Sequence, residues 1–147
     1  MLKGIDPLLS PELLKILCEM GHGDEVFVVD ANFTATTLAR GRPILRLDGV
    51  SLTRACEAVL SVFPLDEAVT QPVSFMKVCN TPEGHLNEVQ QEVHEVLFKE
   101  GVTQMQIEPV ERFDFYDRTQ HAYAFVVTGE LRTYANFRFK KGVVVPN

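Results

Sequence analysis

The stretch EMGHGDEVFVVDANF, residues 19–33, decides how this chain is read. Its centre, EVFVVD at 25–30, is an unbroken run of β-branched and aromatic residues flanked by acids. Such a run suits a strand buried on both faces of a sheet. A helix leads into it. Ser10 is a good N-cap, and Pro11 fits the first helical position, where a missing N–H costs nothing. Leu13, Ile16, Leu17 and Met20 then repeat at i, i+3, i+4 and i+7, one buried face. Gly21 ends the helix as the residue after its cap, and His22 with Gly23 forms the turn. An imidazole between two glycines has two readings. One is a histidine satisfying the last helix carbonyls and the dipole. The other is a reactive histidine, where freedom at φ and the absence of Cβ atoms let a ligand come close. Asp30 closes the strand. Polar groups that face ligands in open α/β sheets sit at such strand ends, although an Asx turn capping the loop explains an aspartate there too.

Working outward, ANFTATT at 31–37 reads as a loop, and PILRLD at 43–48 as a short strand with Ile44 and Leu45 inside. A helix is predicted over 52–63. Leu52, Ala55, Cys56, Val59, Leu60 and Phe63 form its stripe, Ser51 caps it and Pro64 ends it. Asp66 falls in the loop beyond. PVSFMKV at 72–78 is a strand. The stretch 81–101 holds a third helix with Leu86, Val89, Val93, Val96 and Leu97 on its apolar face, and His94 on the solvated side. TQMQIEPV at 103–110 is a strand. RFDFYDRTQHA at 112–122 is ambiguous between a loop and a short helix. YAFVVTG at 123–129 and YANFRFKKG at 134–142 are the last strands, joined by ELRT and close enough to pair as a hairpin. In the last strand Phe137 and Phe139 alternate with Asn136, Arg138 and Lys140, as in a half-buried strand.

Helices and strands thus alternate through most of the chain. The fold class expected is α/β, a single-domain α/β sandwich with a mixed β-sheet between helices, over residues 1–147. At 147 residues one domain can bury about 70% of its unfolded surface, so a core needs no staples.

Fourteen basic against 20 acidic residues leave a net charge of −6, which argues against nucleic acid as a partner. Cysteines 18, 56 and 79 match no zinc or redox spacing, and Cys18 and Cys56 read as small core residues. The opening MLKGIDPLLSPELL lacks a signal-peptide pattern, and no apolar run approaches the ~20 residues of a membrane span. A reducing cytoplasm is the expected location. Phosphate loops, the GxSxG elbow and HExxH are absent, and no two of the four histidines sit at i and i+4. No metal is expected. Arg112, Tyr116, Tyr134 and Asn136 are polar or amphipathic groups beside apolar stretches, each alone more often structural. From the residues, the reading ends at an α/β domain with a possible His/Asp site.

Two long segments carry a resemblance. SPELLKILCEMGHGDEVFVVDANF at 10–33 and RFDFYDRTQHAYAFVVTGELRTYANFRFKKGVV at 112–144 resemble the two end signatures of the L-fucose mutarotase and ribose pyranase family (RbsD/FucU), in the right order. FDFYDRTQHAYAFVVTGE and the closing KKGVV are similar to the fucose branch. The ribose branch typically has histidine in place of Arg112 and lacks the Leu65–Asp66 pair. Asn32 stands where many fucose-type members have His, and Ala135 where Gly is common.

The resemblance implies interconversion of sugar anomers by ring opening and closure, with no cofactor. The alternatives are a pyranase or mutarotase for ribose or another sugar, and a sugar-binding module without catalysis. By similarity His22 is the proton donor, with Tyr116 and Asp66 taking part in proton transfer. Asp30, Arg112, Tyr134, Ala135 and Asn136 bind the sugar, and Asp30 is expected also to orient His22. The family assembles as homo-oligomeric rings, often decamers, with sites at subunit contacts. Phe113, Phe115, Phe137 and Phe139 are candidates for partial burial by a neighbour.

Overall fold

The computed structural model describes residues 1–146. The first helix is α1 (Pro11–Glu19), with the Ser10 side chain accepting from the Leu13 N–H and Pro11 at its start. It leads into β1 (Glu25–Val29). Next come α2 (Ala35–Ala39), β2 (Ile44–Leu47), α3 (Leu52–Leu60), β3 (Val73–Met76) and α4 (Glu88–Lys99). The chain ends with β4 (Ile107–Val110), α5 (Arg112–Arg118), β5 (Ala122–Thr128) and β6 (Phe137–Lys140). The strands form one six-stranded sheet in the order β2-β5-β1-β6-β3-β4.

The sheet is mixed, as expected, but its closing strands do not pair as a hairpin. β1 lies between them, parallel to β5 and antiparallel to β6. β6 also runs antiparallel to β3. An eight-residue connection, far longer than a tight hairpin loop, carries the chain across that gap. This position changes β6. Flanked by strands on both sides, it buries Asn136 and Arg138 as well as Phe137 and Phe139, so it is not half-buried.

One face of the sheet presents Val26, Val28, Phe75, Phe137 and Phe139 to α1, α3 and α4. The other presents Phe27, Val29, Phe125 and Val127 to α2 and α5. Both faces of β1 are therefore covered, which explains its continuous apolar run.

Three local expectations are corrected. The segment 31–37 is not all loop, since α2 starts at Ala35. So short a helix persists because the Arg42 guanidinium takes up its last carbonyls, Leu38 at 2.7 Å and Ala39 at 2.8 Å, together with those of Thr119, Gln120 and Ala122. Cys18 is exposed, because it lies one residue round the helix from the buried Leu17. His94 is buried rather than solvated. Its Nδ1–H donates to the Gln90 carbonyl at 2.7 Å and its ring meets Phe75 edge-on at 5.0 Å. The buried stripe of α4 is Val89, Gln90, Val93, His94, Val96 and Leu97. It is wider than the apolar residues alone suggest, because two polar side chains find backbone partners inside it. The ambiguous 112–122 segment resolves into α5 and a 3-10 turn, Thr119–His121.

Candidate functional site

The turn holding His22 is fixed from the far end of the chain. The Lys141 ammonium donates to the Leu17 carbonyl at 2.6 Å and to that of Met20, at the C-terminus of α1. The Gly23 N–H donates to the Lys141 carbonyl, and the Lys141 N–H to that of Asp24, both at 2.8 Å. Gly23 has φ +87°, where a Cβ would be strained, whereas Gly21 is not left-handed. Lysine 141 thus closes the helix, and His22 is left free of that task. Its Nε2 lies 3.0 Å from Asp66 Oδ1, with 51% of the His22 side chain exposed and only 4% of Asp66. Burial pushes the Asp66 carboxyl up. The Ala68 N–H, His22 and Lys140 outweigh that and hold it below the usual carboxylate range. A half-exposed imidazole backed by an ionised carboxylate is a group that can hand over and take back a proton.

The other end of β1 is built differently. Asp30 is buried, and its N–H donates to Asn136 Oδ1 at 3.0 Å while Asn136 Nδ2 donates to Asp30 Oδ2 at 3.0 Å. Side chains thereby continue the β1–β6 ladder past its last backbone pair. Burial raises the Asp30 carboxyl, against the opposing N–H groups of Asn32, Asn136 and Ala135. Around this pair lies a pocket of about 270 Å³, with Arg112, Tyr116, Tyr134 and Met76 also in its wall. Arg112, in the first turn of α5, donates from Nε to the Tyr116 hydroxyl at 3.2 Å, and its guanidinium lies over the Tyr116 ring. One carboxyl, one guanidinium, two tyrosines, two asparagines and Thr133 converge on a volume below that of drug-sized sites.

Of the residues singled out in the sequence, Asp30, Arg112, Tyr116, Tyr134 and Asn136 line this pocket. Ala135 is fully buried beside it. His22 and Asp66 pair with each other elsewhere. Asp30 does not orient His22, because the two flank opposite ends of β1, separated by about 16 Å of extended strand. Asn136 occupies the place at Asp30 that His22 was expected to take. Of the four phenylalanines considered, Phe115, Phe137 and Phe139 are core, and only Phe113 is exposed, at 65%. Sequence reasoning passed over Met76 and Phe33, which give the pocket its apolar wall. Phe33 stands three residues beyond Asp30 on a loop, where no periodicity marks it.

Known proteins show the same arrangement of sequence and fold. The profile of the RbsD / FucU transport protein family matches residues 3–144. The L-fucose mutarotase of Glaesserella parasuis serovar 5 is 43% identical over 143 residues, covering 97% of this chain and 96% of its own. That of Haemophilus influenzae strain 86-028NP is 43% identical over 150 residues and 97% of each chain. Among solved structures, the fucose mutarotase of Streptococcus pneumoniae in complex with L-fucose superposes with a TM-score of 0.88 at 38% identity, covering 98% of this chain and all of that one. The RbsD of Bacillus subtilis complexed with D-ribose shares the fold, with a TM-score of 0.75 at 20% identity. With a match over nearly its whole length, this chain belongs to the RbsD/FucU family.

Proposed function

We propose that this chain is one L-fucose mutarotase domain, an isomerase that interconverts the α and β anomers of L-fucose, working in the cytoplasm as a homo-oligomer. The relatives at 42–43% identity carry that name over 97% of this chain, and they favour fucose over ribose. Mutarotation opens the hemiacetal and recloses it on the other face of C1. Opening needs a proton delivered to the ring oxygen and one removed from the anomeric hydroxyl, each a general acid or base step worth roughly 10²–10⁴-fold. Asp30, Arg112, Tyr134 and Asn136, with the Ala135 backbone, hold the sugar hydroxyls. His22 donates the proton, Asp66 stabilises the imidazolium, and Tyr116 exchanges the second proton through its hydroxyl. The side chains of the protein supply every step.

One observation carries the reading. The proton-transfer pair and the sugar pocket lie at opposite ends of β1, and His22 is half exposed and lines no part of that pocket. A single chain cannot bring them to one sugar. A second copy can, if its His22 turn docks against the pocket rim where Phe113 stands exposed. A ring, a decamer by the family resemblance, repeats that head-to-tail contact until it closes.

Saturation-transfer NMR on equilibrated L-fucose tests the activity. Wild type should carry saturation between the anomeric protons, and His22→Ala should not. Mixing subunits impaired at one end or the other, at L-fucose far below saturation, tests the shared site. Co-refolded His22→Ala and Asp30→Ala chains should regain activity in about one site in four. No regain, together with active monomers in sedimentation, rejects the shared site. Wild-type silence on fucose, ribose and galactose rejects the mutarotase.

A further inference from the structure

Gln90 is fully buried at the third position of α4. A buried amide must place its hydrogen-bonding groups or lose stability. Its Oε1 accepts the Asn87 N–H at 3.2 Å, closing a capping box. Its Nε2 donates to the Met76 carbonyl at 2.8 Å and to the Tyr134 carbonyl at 3.0 Å. Met76 and Tyr134 both line the sugar pocket, and Gln90 does not.

Tyr134 has φ +58°, the left-handed region that a non-glycine residue rarely adopts. Something must hold it there. The peptide group joining Tyr134 to Ala135 is held through its carbonyl, which accepts from Gln90, and Ala135 is fully buried. One residue earlier, Asn87 Nδ2 donates to the Thr133 carbonyl at 3.0 Å. The first turn of α4 therefore clamps the loop that carries the pocket's tyrosine.

We propose that Gln90 is a positioning residue for the sugar pocket. It fixes the orientation of the Tyr134–Ala135 peptide, and through it the placement of the Tyr134 ring. The proposal rests on the mutarotase reading for its kinetic arm only. Without the Gln90 donor, the Met76 and Tyr134 carbonyls lose a buried partner and Tyr134 relaxes toward negative φ. Gln90 touches no reacting atom, so sugar binding suffers and the proton-transfer steps do not.

The test compares Gln90→Leu with Val93→Ala, a cavity variant in the same helix whose side chain belongs to the core. Two quantities are read in each: KM and kcat for L-fucose anomerisation, and hydrogen exchange at the Ala135 amide. Gln90→Leu should raise KM about tenfold, the size expected when a buried carbonyl loses its partner, with kcat within a few-fold of wild type. Ala135 exchange should quicken while amides in the last turns of α4 keep their protection. Val93→Ala should lower Tm and leave KM and Ala135 exchange unchanged. If Gln90→Leu does not fold, Asn87→Ser keeps a capping oxygen and removes only the donor to Thr133, and the same pattern should appear at smaller size. Wild-type KM and Ala135 exchange in Gln90→Leu, or equal effects in Val93→Ala, overturn the proposal. Should the wild type turn over no sugar, the mutarotase reading falls, and Ala135 exchange alone still decides the role of Gln90.

Discussion

The two ends of β1 are made in opposite ways. At its start, His22 stands on a turn stitched down by backbone and by Lys141, with its imidazole half in water and one buried carboxylate behind it. At its finish, Asp30 sits inside a closed set of hydrogen bonds with Asn136 and the surrounding N–H groups. The first end offers a half-exposed imidazole backed by a carboxylate, outside the pocket of Asp30. The second offers a shaped pocket and no histidine. Division of labour along one strand explains why either end alone looks incomplete.

Separating turnover from binding breaks or sharpens that contrast most directly. His22→Ala should cut anomer exchange by roughly 10²–10⁴-fold, the range for a lost general acid, while L-fucose affinity by calorimetry changes little. Asp30→Ala should do the reverse at the other end, with affinity falling on the order of tenfold or more as Asn136 loses its partner. Equal loss of binding in both variants would remove the distinction. Asp66→Asn should lower turnover about tenfold with binding kept, since a neutral amide stabilises the imidazolium less than a carboxylate does.

The remaining tests concern acid stability, read at residues away from both ends of β1. Burial lowers the His94 pKa, against the Gln90 carbonyl, which raises it. Below about pH 6.5 the unfolded chain takes up a proton there that the folded chain resists. Stability is therefore full above that pH and falls as pH drops toward the depressed folded value, with a slope of at most about 1.4 kcal/mol per pH unit. In chemical denaturation series, His94→Leu should flatten this limb. A smaller effect lies at Glu92, which Arg132 and Thr53 pull down to about 2. Its contribution is present above the ordinary carboxylate range and lost as pH falls to about 2. Arg132→Met should make that lower limb shallower, and only slightly, because both partners are partly exposed.

Much of the scaffold could be read from local pattern. Ser10, Pro11 and the Leu13–Leu17 spacing mark α1, and the valines of β1 announce a strand covered on both sides. What could not be read is what distance in sequence hides. Nothing near Phe125 or Phe137 says that Val28 comes between their strands. Asp66 is 44 residues from His22, and Asn136 is 106 from Asp30. The most tempting contact, between His22 and Asp30, failed because a strand separates the residues at its two ends rather than joining them. Polar residues misled in another way. His94 reads as solvated in the sequence, yet its Nδ1–H finds the Gln90 carbonyl and the ring goes inside, beside a Gln90 whose amide also has backbone partners.

The position of β6 bears on how the chain is made. Of the strands described it is synthesised last, yet it fills the space between β1 and β3. Until residue 140 has left the ribosome, β1 and β3 each keep an unpaired edge, and the Lys141 ammonium cannot reach the His22 turn that it fixes. The nascent protein can collapse its helices early, but its sheet is joined into one piece only once residues 137–140 are free to pair. Such late, non-local pairing is slow to form and exposed to aggregation while it waits.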